Sequence, residues 1–409
     1  DSSIRRVIER CQQAADNHDG IEDYDVSVLK LLYLVRYLGN DIKATPDNIV
    51  ILMADSINVD KIATREKVNQ SLGRLLGQNY IGRSGNVYNF LTDEEQDVQI
   101  EIKRTAVDTS EIVKRIAEII YGDIYTSKKF RYKDYDFAFD QMVDGICIGA
   151  TGNGIGLRFL TIAADDVDKS ELRLQTESSN QAIGVLENSQ YYSALEQAMK
   201  IRKYTKQRLV PSIPKSIQDI IRSRQDEASE YEKEARQNLI TAIESAKFYA
   251  AGEHIPVKTG DVKAKIDQAL EYLVVHVYRE LDLIEEHVSS DAEVCNIAKG
   301  LTRRIDGCEP NQSAVAAVAE YLDIQEYKHL PTSMQDIQSR YQAIPYGWKE
   351  IDIAGIVAML LRDQKATIKY AGTFISPDES RLAELLRKKS EIGKVVIRKR
   401  VMIFAQQIR

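Results

Sequence analysis

The glycine-rich run Gly149–Gly156, GATGNGIG, contains the residue types that come closest to nucleotide chemistry in this sequence. A phosphate-binding loop needs the pattern GxxxxGK followed by Ser or Thr, so that backbone amides surround the phosphates and a lysine reaches them. No such lysine or hydroxyl residue follows the run, and the dinucleotide-binding spacing GxGxxG is absent. Leu160–Asp166 is an apolar strand ending in two acids, as in the Mg²⁺-holding strand of such ATPases. Because no phosphate-binding loop precedes this strand, we predict that Gly149–Gly156 is a hairpin loop. We predict that Leu160–Asp166 is a strand followed by a solvated turn.

Cysteine and histidine side chains, the usual zinc ligands, are scattered along the chain. The five histidines form no HExxH motif, and no GxSxG nucleophile motif occurs. The sequence therefore predicts neither a metal site nor a catalytic constellation, and it predicts a reducing cytoplasmic environment. The four cysteines show no CxxC spacing: Cys11, Cys147, Cys295 and Cys308.

Basic and amide side chains point instead to nucleic acid. The net charge of −7 excludes a uniformly basic protein, so phosphate contacts must come from local patches. A protein-binding module is the alternative for the first patch, and a solvated charged face is the alternative for the second. The first patch lies on a predicted helix and the hairpin after it: Arg65, Lys67, Asn69, Gln70, Arg74 and Arg83. The second is a C-terminal cluster with only Glu391 as a nearby acid in the sequence: Arg387, Lys388, Lys389, Lys394, Arg398, Lys399 and Arg400.

The segment from Tyr80 to Asp97 predicts a β-hairpin set between two helices. Two strand-like runs flank a Ser-Gly-Asn turn, and Gly or Asn supplies the positive φ that tight hairpins need. Thr92 stands at the N-cap of the next helix, with Glu95 as its capping-box partner. Apolar residues at helical spacing predict three helices before the hairpin. This is the element order of a winged-helix domain, which we predict for residues 1–95 with a lead-in helix.

A charged connecting helix is predicted over residues 96–128 and a small β-rich module over 129–187. Aromatic residues alternate between Phe130 and Phe139, which is the period of a half-buried strand. Together these patterns indicate one small sheet. Further strands are predicted at Val143–Ile148, Leu157–Ile162, Leu172–Thr176 and Ala182–Leu186.

Residues 188–330 are predicted to be a helical region with a coiled-coil hairpin. Apolar positions from Ile217 to Tyr249 alternate by four and three residues, which is typical of a coiled-coil seam. The predicted antiparallel partner is the helix Val262–His287, and pairing between two copies of the chain is the alternative. Residues 331–409 are predicted to form a second winged-helix-like domain, with a strand at Ala366–Tyr370 and the basic strand Lys394–Phe404 at its end.

Composition fits this division. A chain of 409 residues exceeds one ordinary core, so several domains are expected. Hydrophobic residues make up 44% and charged residues 29%, as in soluble globular proteins. No apolar run approaches the roughly 18 residues of a membrane span. We predict a cytoplasmic, mainly helical α+β protein.

Four segments, taken in order, carry a resemblance to a known family. They are YNFLTDEEQD at Tyr88–Asp97, VDG at Val143–Gly145, FYAAGE at Phe248–Glu253 and PYGW at Pro345–Trp348. Together they resemble the large P-loop ATPase subunit of bacteriophage exclusion (BREX) defence systems. The resemblance extends over essentially the whole chain and corresponds to the region downstream of that family's nucleotide-binding domain.

The resemblance implies that ATP and Mg²⁺ bind in an N-terminal domain outside this sequence. It also implies a non-catalytic scaffold that docks other BREX proteins, with double-stranded DNA as a further candidate partner. A free-standing regulator, in which a coiled coil separates two DNA-binding winged helices, remains the alternative. Dimerisation through the coiled coil is a third possibility.

Overall fold

The computed structural model describes residues 2–38, 41–56, 60–208, 215–258, 260–302 and 309–400. Within these residues, three large hydrophobic cores divide the chain into an N-terminal unit, a central sheet unit and a C-terminal unit. Helices predominate over strands, so the predicted mixed class is confirmed. No described helix is long and apolar enough to cross a membrane.

The N-terminal unit has the predicted order of helices followed by a hairpin. Thr45 and Asp60 cap the second and third of the predicted helices through their side chains, and Gly85 supplies a positive φ in the hairpin turn. The backbone of Ala44 also accepts a hydrogen bond from Tyr88, which ties the hairpin to the helices. The elements are α1 (Ser2–Asp16), α2 (Asp23–Arg36), α3 (Pro46–Leu52), α4 (Lys61–Gly77), β1 (Ile81–Ser84) and β2 (Val87–Phe90).

The connecting segment contains a break. Thr92 and Glu95 form the predicted capping box at the start of α5 (Asp93–Arg104). A second helix, α6 (Thr109–Ile119), follows, and it ends in a π-helical turn at Ile120–Ile124. The single helix predicted here is therefore two helices with a bend between them.

The central sheet is mixed, and two predicted strands are wrong. The predicted strand Val143–Ile148 contains a turn at Asp144 and Gly145, which joins two antiparallel strands. Residues predicted as the strand Leu172–Thr176 form a short helix, because the strands on either side of it run parallel and need a crossover. The elements up to this point are β3 (Lys129–Tyr132), β4 (Tyr135–Val143), β5 (Ile146–Ile148), β6 (Ile155–Leu160), α7 (Glu171–Glu177) and β7 (Gln181–Val185).

The predicted pairing of the long helix is also wrong. The chain continues as α8 (Gln190–Arg208), α9 (Lys215–Glu244), β8 (Lys247–Ala250), β9 (Glu253–Ile255) and α10 (Val262–Val277). The helix α9 packs along α8, where Arg202 pairs with Glu232 at 3.2 Å. Two strands separate α9 from α10, and β8 joins the sheet beside β7. The path of hydrogen-bonded strands among the described residues is β3-β4-β6-β7-β8-β9, with β5 paired to β4.

The C-terminal unit has a core that extends from Ile284 to Ile397. Its sheet order is β10-β13-β11-β12, and the strand predicted at Ala366–Tyr370 is present with the same bounds. Residues 401–404 of the predicted basic strand lie outside the described residues, as does Cys308. After a 3₁₀ turn at Leu281–Leu283, the elements are α11 (Asp291–Ala298), α12 (Gln312–Tyr327), β10 (Thr332–Ser333), α13 (Met334–Gln342), α14 (Glu350–Arg362), β11 (Ala366–Tyr370), β12 (Thr373–Phe374), α15 (Leu382–Arg387) and β13 (Val395–Lys399).

Candidate nucleic-acid interface

The helix α4 presents an open outer face. In a winged helix the third helix of the core enters the major groove, and α4 occupies that position in the N-terminal unit. Arg65, Lys67, Asn69 and Gln70 are all exposed on this helix, as predicted from the sequence. The opposite face is buried through Val68, Ser71, Leu72 and Leu75.

Weak surface contacts hold the exposed cations of α4. Arg65 forms an ion pair with Asp47 of α3, and both side chains are more than half exposed. The ammonium group of Lys67 lies 4.1 Å from the centre of the Tyr24 ring. Exposed contacts of these kinds contribute roughly 0.2–1 kcal/mol each, so a phosphate group can replace them.

Arg74 does not belong to this open face. Its guanidinium donates to both carboxylate oxygens of Asp25, at 2.7 and 2.8 Å, and to Glu22 at 3.1 Å. The Asp25 side chain is fully buried and also accepts from the backbone amide of Glu22. The hydrogen bonds to Asp25 raise the pKa of Arg74. Arg74 therefore joins α4 to the start of α2 and is not available to DNA.

The hairpin packs against α9 through its first strand. The hydroxyl of Tyr231 donates to the backbone oxygen of Arg83 at 3.1 Å, and burial raises the Tyr231 pKa to about 12, so this donor stays protonated near neutral pH. The Arg83 side chain itself is exposed and donates to the Gly85 oxygen at 2.7 Å. The hairpin is thus attached along one edge, and its tip remains at the surface.

A cavity of about 400 Å³ separates the hairpin from α9. Two ion pairs line it: Arg36 with Glu95 at 2.8 Å, and Arg224 with Glu227 at 2.5 Å. Burial raises the pKa of Glu227, and the adjacent Arg224 opposes this shift. The cavity thus lies between the hairpin and α9. Neither ion pair joins these two elements, because the first joins α2 to α5 and the second lies within α9.

The C-terminal basic cluster is largely paired, contrary to the single acid expected from the sequence. Arg387 pairs with Asp291 of α11 and with Glu350 of α14. The remaining ion pairs join Lys388 to Glu384 at 3.0 Å, Lys394 to Glu391 at 3.4 Å and Lys399 to Asp323 at 2.9 Å. Lys389, Arg398 and Arg400 are exposed, and no acidic partner is found for them among the described residues.

The helix α14 of the C-terminal unit is covered. Every residue of α14 from Asp352 to Leu361 is buried. Val294 and Ile297 of α11 share its core, as does α15, and Val288 contacts it where Gly355 lacks a side chain. In this conformation α14 cannot enter a DNA groove, whereas the outer face of α4 is exposed.

Two family models match the chain in the same places as two of these units. Residues 105–273 match the BREX ATP-binding protein BrxC 4th domain with six-stranded beta sheet. Residues 280–401 match the BREX ATP-binding protein BrxC winged helix-turn-helix domain.

The chain belongs to the BrxC family.

It corresponds to the BrxC region downstream of the nucleotide-binding domain, as the resemblance predicts. The six strands on the hydrogen-bonded path lie within the first match, and the helices and strands from α12 to β13 lie within the second. The family places the chain in the BREX defence system. No solved structure matches this BrxC-family chain.

Sequence reasoning missed one basic residue on the open face of this BrxC-family chain. Lys61 is exposed in the first turn of α4, four residues before Arg65 and therefore on the same side of the helix. The four-residue spacing from Arg65 is the sequence signal that could have identified Lys61. The aliphatic side chain next to it, Ile62, is 83% exposed.

Proposed function

We propose that this chain is the non-catalytic docking portion of a BrxC-type BREX ATPase. It binds other BREX proteins and contacts double-stranded DNA through α4, while ATP and Mg²⁺ bind in the nucleotide-binding domain of the longer protein. The observation that carries the proposal is the open outer face of α4, in contrast to α14 of the C-terminal winged-helix domain, which is covered.

The way the units are joined supports a scaffold. The helix α9 contacts the hairpin through Tyr231 and contributes Leu239 and Ala242 to the core of the central sheet unit. At the other end, the indole of Trp348 donates to the Glu280 oxygen at 2.9 Å, and the Glu280 amide donates to Pro345 at 3.0 Å. Packed joints of this kind let movement in one unit displace the others.

A free-standing regulator is the weaker proposal. It accounts for the open face of α4, but it gives no reason for matches to two domains of an ATP-binding protein. Pairing between copies through α9 is also less favoured. The apolar seam of α9 already packs on α8 within one chain, and Ala228, Ala235 and Leu239 are buried there or in the sheet core.

Affinity capture tests the docking role. The tagged full chain is immobilised and exposed to the other proteins of its defence operon, expressed together and treated with nuclease so that DNA cannot bridge them. We expect at least one of these proteins to be retained in a near-stoichiometric amount. The control is an unrelated tagged protein of similar net charge. If the chain retains none of them even at low salt, the docking proposal is wrong.

A further inference from the structure

A surface groove in the C-terminal unit is not used by the contacts described so far. It lies between α12 and the ends of β11 and β13 and has a volume of about 710 Å³. Ala319, Leu322 and Tyr327 of α12 line it at intervals of three to five residues, which places them on one side of the helix. Tyr327 is 87% exposed, so a large aromatic ring stands at the surface beside an apolar floor.

A second recess adjoins the first. Its volume is about 460 Å³, and Ile368, Phe374 and Ile375 contribute to its lining. Gln364 and Arg400 border both recesses and therefore separate them. Phe374 is 63% exposed, so each recess has one exposed aromatic side chain at its wall.

Cations dominate the rim of the larger recess. Lys365, Lys399 and Arg400 line it, against the acids Asp323 and Glu326. The Lys399 ammonium is paired with Asp323 at 2.9 Å. Lys365 and Arg400 are exposed and have no acidic partner among the described residues. An incoming carboxylate therefore finds two cations that are not neutralised.

The chemistry of the groove favours a peptide over a nucleic acid. A nucleic-acid backbone would bring its phosphates next to the carboxylates of Asp323 and Glu326. Its bases would also have to cover an aliphatic floor formed by Ala319 and Leu322. A peptide can place apolar side chains in the recesses and carboxylates on the rim.

We infer that this double recess binds a short segment of a partner protein in which an acidic residue stands between two large apolar residues. The acid pairs with Arg400, and one apolar side chain enters each recess. The inference rests on the proposed docking function and specifies the partner segment at this surface. A second copy of the chain and residues 401–409, which follow Arg400, are the competing occupants.

Overlapping short peptides that cover the other proteins of the operon, displayed on an array, test this inference. The array is probed with the full chain and with the variants Ala319→Phe, which fills the larger recess, and Arg400→Glu, which reverses the central charge. Matched controls are Ala316→Phe, on an exposed position of α12 outside the groove, and Lys328→Glu at the end of that helix.

We expect the wild-type chain to retain peptides with the pattern of an acid between two apolar residues. Both groove variants should bind them at least about tenfold more weakly, and both controls should bind like the wild type. Equal binding by Ala319→Phe and Ala316→Phe overturns the inference. So does retention of peptides without acids, or retention of none.

Two further measurements test whether one of the competing occupants fills the groove. A wild-type dimer that Ala319→Phe converts to a monomer in light scattering assigns the groove to a second copy. Peptide binding that appears only after deletion of residues 401–409 assigns the groove to that segment. Either result overturns the inference. If the intact partner proteins are captured equally by the wild type and Ala319→Phe, the groove inference fails while the docking function stands.

Discussion

Replacing Arg74 with alanine is expected to lower the local unfolding free energy of the N-terminal unit by about 3 kcal/mol. The reason is the Asp25 carboxylate, which is fully buried and receives both of its charge-assisted hydrogen bonds from Arg74. Removing the guanidinium leaves a buried carboxylate without its cation, and the backbone amide of Glu22 still donates to it. Because the Arg74 side chain is 25% exposed, water reaches part of the site, and we expect the lower end of the range for such pairs.

Hydrogen exchange measures this loss locally, which matters because a chain with three cores need not unfold in one step. The amides of α2 and α4 should lose protection by about a hundredfold. The matched control is Arg65→Ala, which also breaks an arginine–aspartate pair, but an exposed one. We expect that control to cost less than about 1 kcal/mol. Equal effects of the two substitutions would show that burial of Asp25 does not determine the cost.

The same pair limits how DNA binding by α4 can be tested. A charge reversal at Arg74 should disrupt the attachment of α4 to α2, so weaker DNA binding by that variant would not identify a contact. Arg65 and Lys67 can be reversed without disturbing a buried partner, because the structure holds them only through surface contacts.

Replacing Asp352 with alanine is expected to weaken the packing of α11 and Val288 on α14, and to lower the local unfolding free energy there by about 2–3 kcal/mol. The Asp352 carboxylate is buried near the start of α14 and accepts from the Val288 amide at 2.8 Å. Its other oxygen lies 2.7 Å from Nδ1 of His287. Without the carboxylate, a buried backbone donor is left unsatisfied just before α11, the helix that packs on α14.

Hydrogen exchange should then show faster exchange at Val288 and in α11, with α4 unchanged. Glu350→Ala is the matched control on the same helix, because that acid is 43% exposed and pairs with Arg387 at the surface. We expect it to cost less than about 1 kcal/mol. Unchanged protection at Val288 in the Asp352 variant would mean that this carboxylate does not hold α11 and Val288 against α14.

The sequence predicted well those elements whose formation depends on residues close together in the chain. The hairpin turn, the Thr92 capping box and the strand Ala366–Tyr370 each depend on a few neighbouring residues. The segment Leu172–Thr176 misled because its apolar residues alternate. Leu174 is buried and Leu172 is 78% exposed, and the short crossover helix depends on parallel strands that local sequence does not reveal.

Long-range partners were the part that could not be predicted. The apolar seam on α9 indicates that one side of this helix packs against another helix, but it does not indicate whether that helix is α8 or α10. Similarly, Arg65 and Arg74 have the same residue type on the same helix, and only the position of Asp25 distinguishes them. The acids that neutralise the C-terminal cluster come from other elements, including Asp291 and Asp323.

The proposal that DNA contacts α4 depends on the contrast between the open face of α4 and the covered α14. The most direct test is fluorescence anisotropy of a labelled duplex of about two helical turns, titrated with the full chain at several salt concentrations. We expect salt-dependent binding that Arg65→Glu/Lys67→Glu weakens at least about tenfold, with a salt slope smaller by about two. Lys388→Glu/Lys389→Glu should bind like the wild type. Binding lost only in that C-terminal variant, or no binding by the wild type at low salt, would contradict a DNA contact through α4.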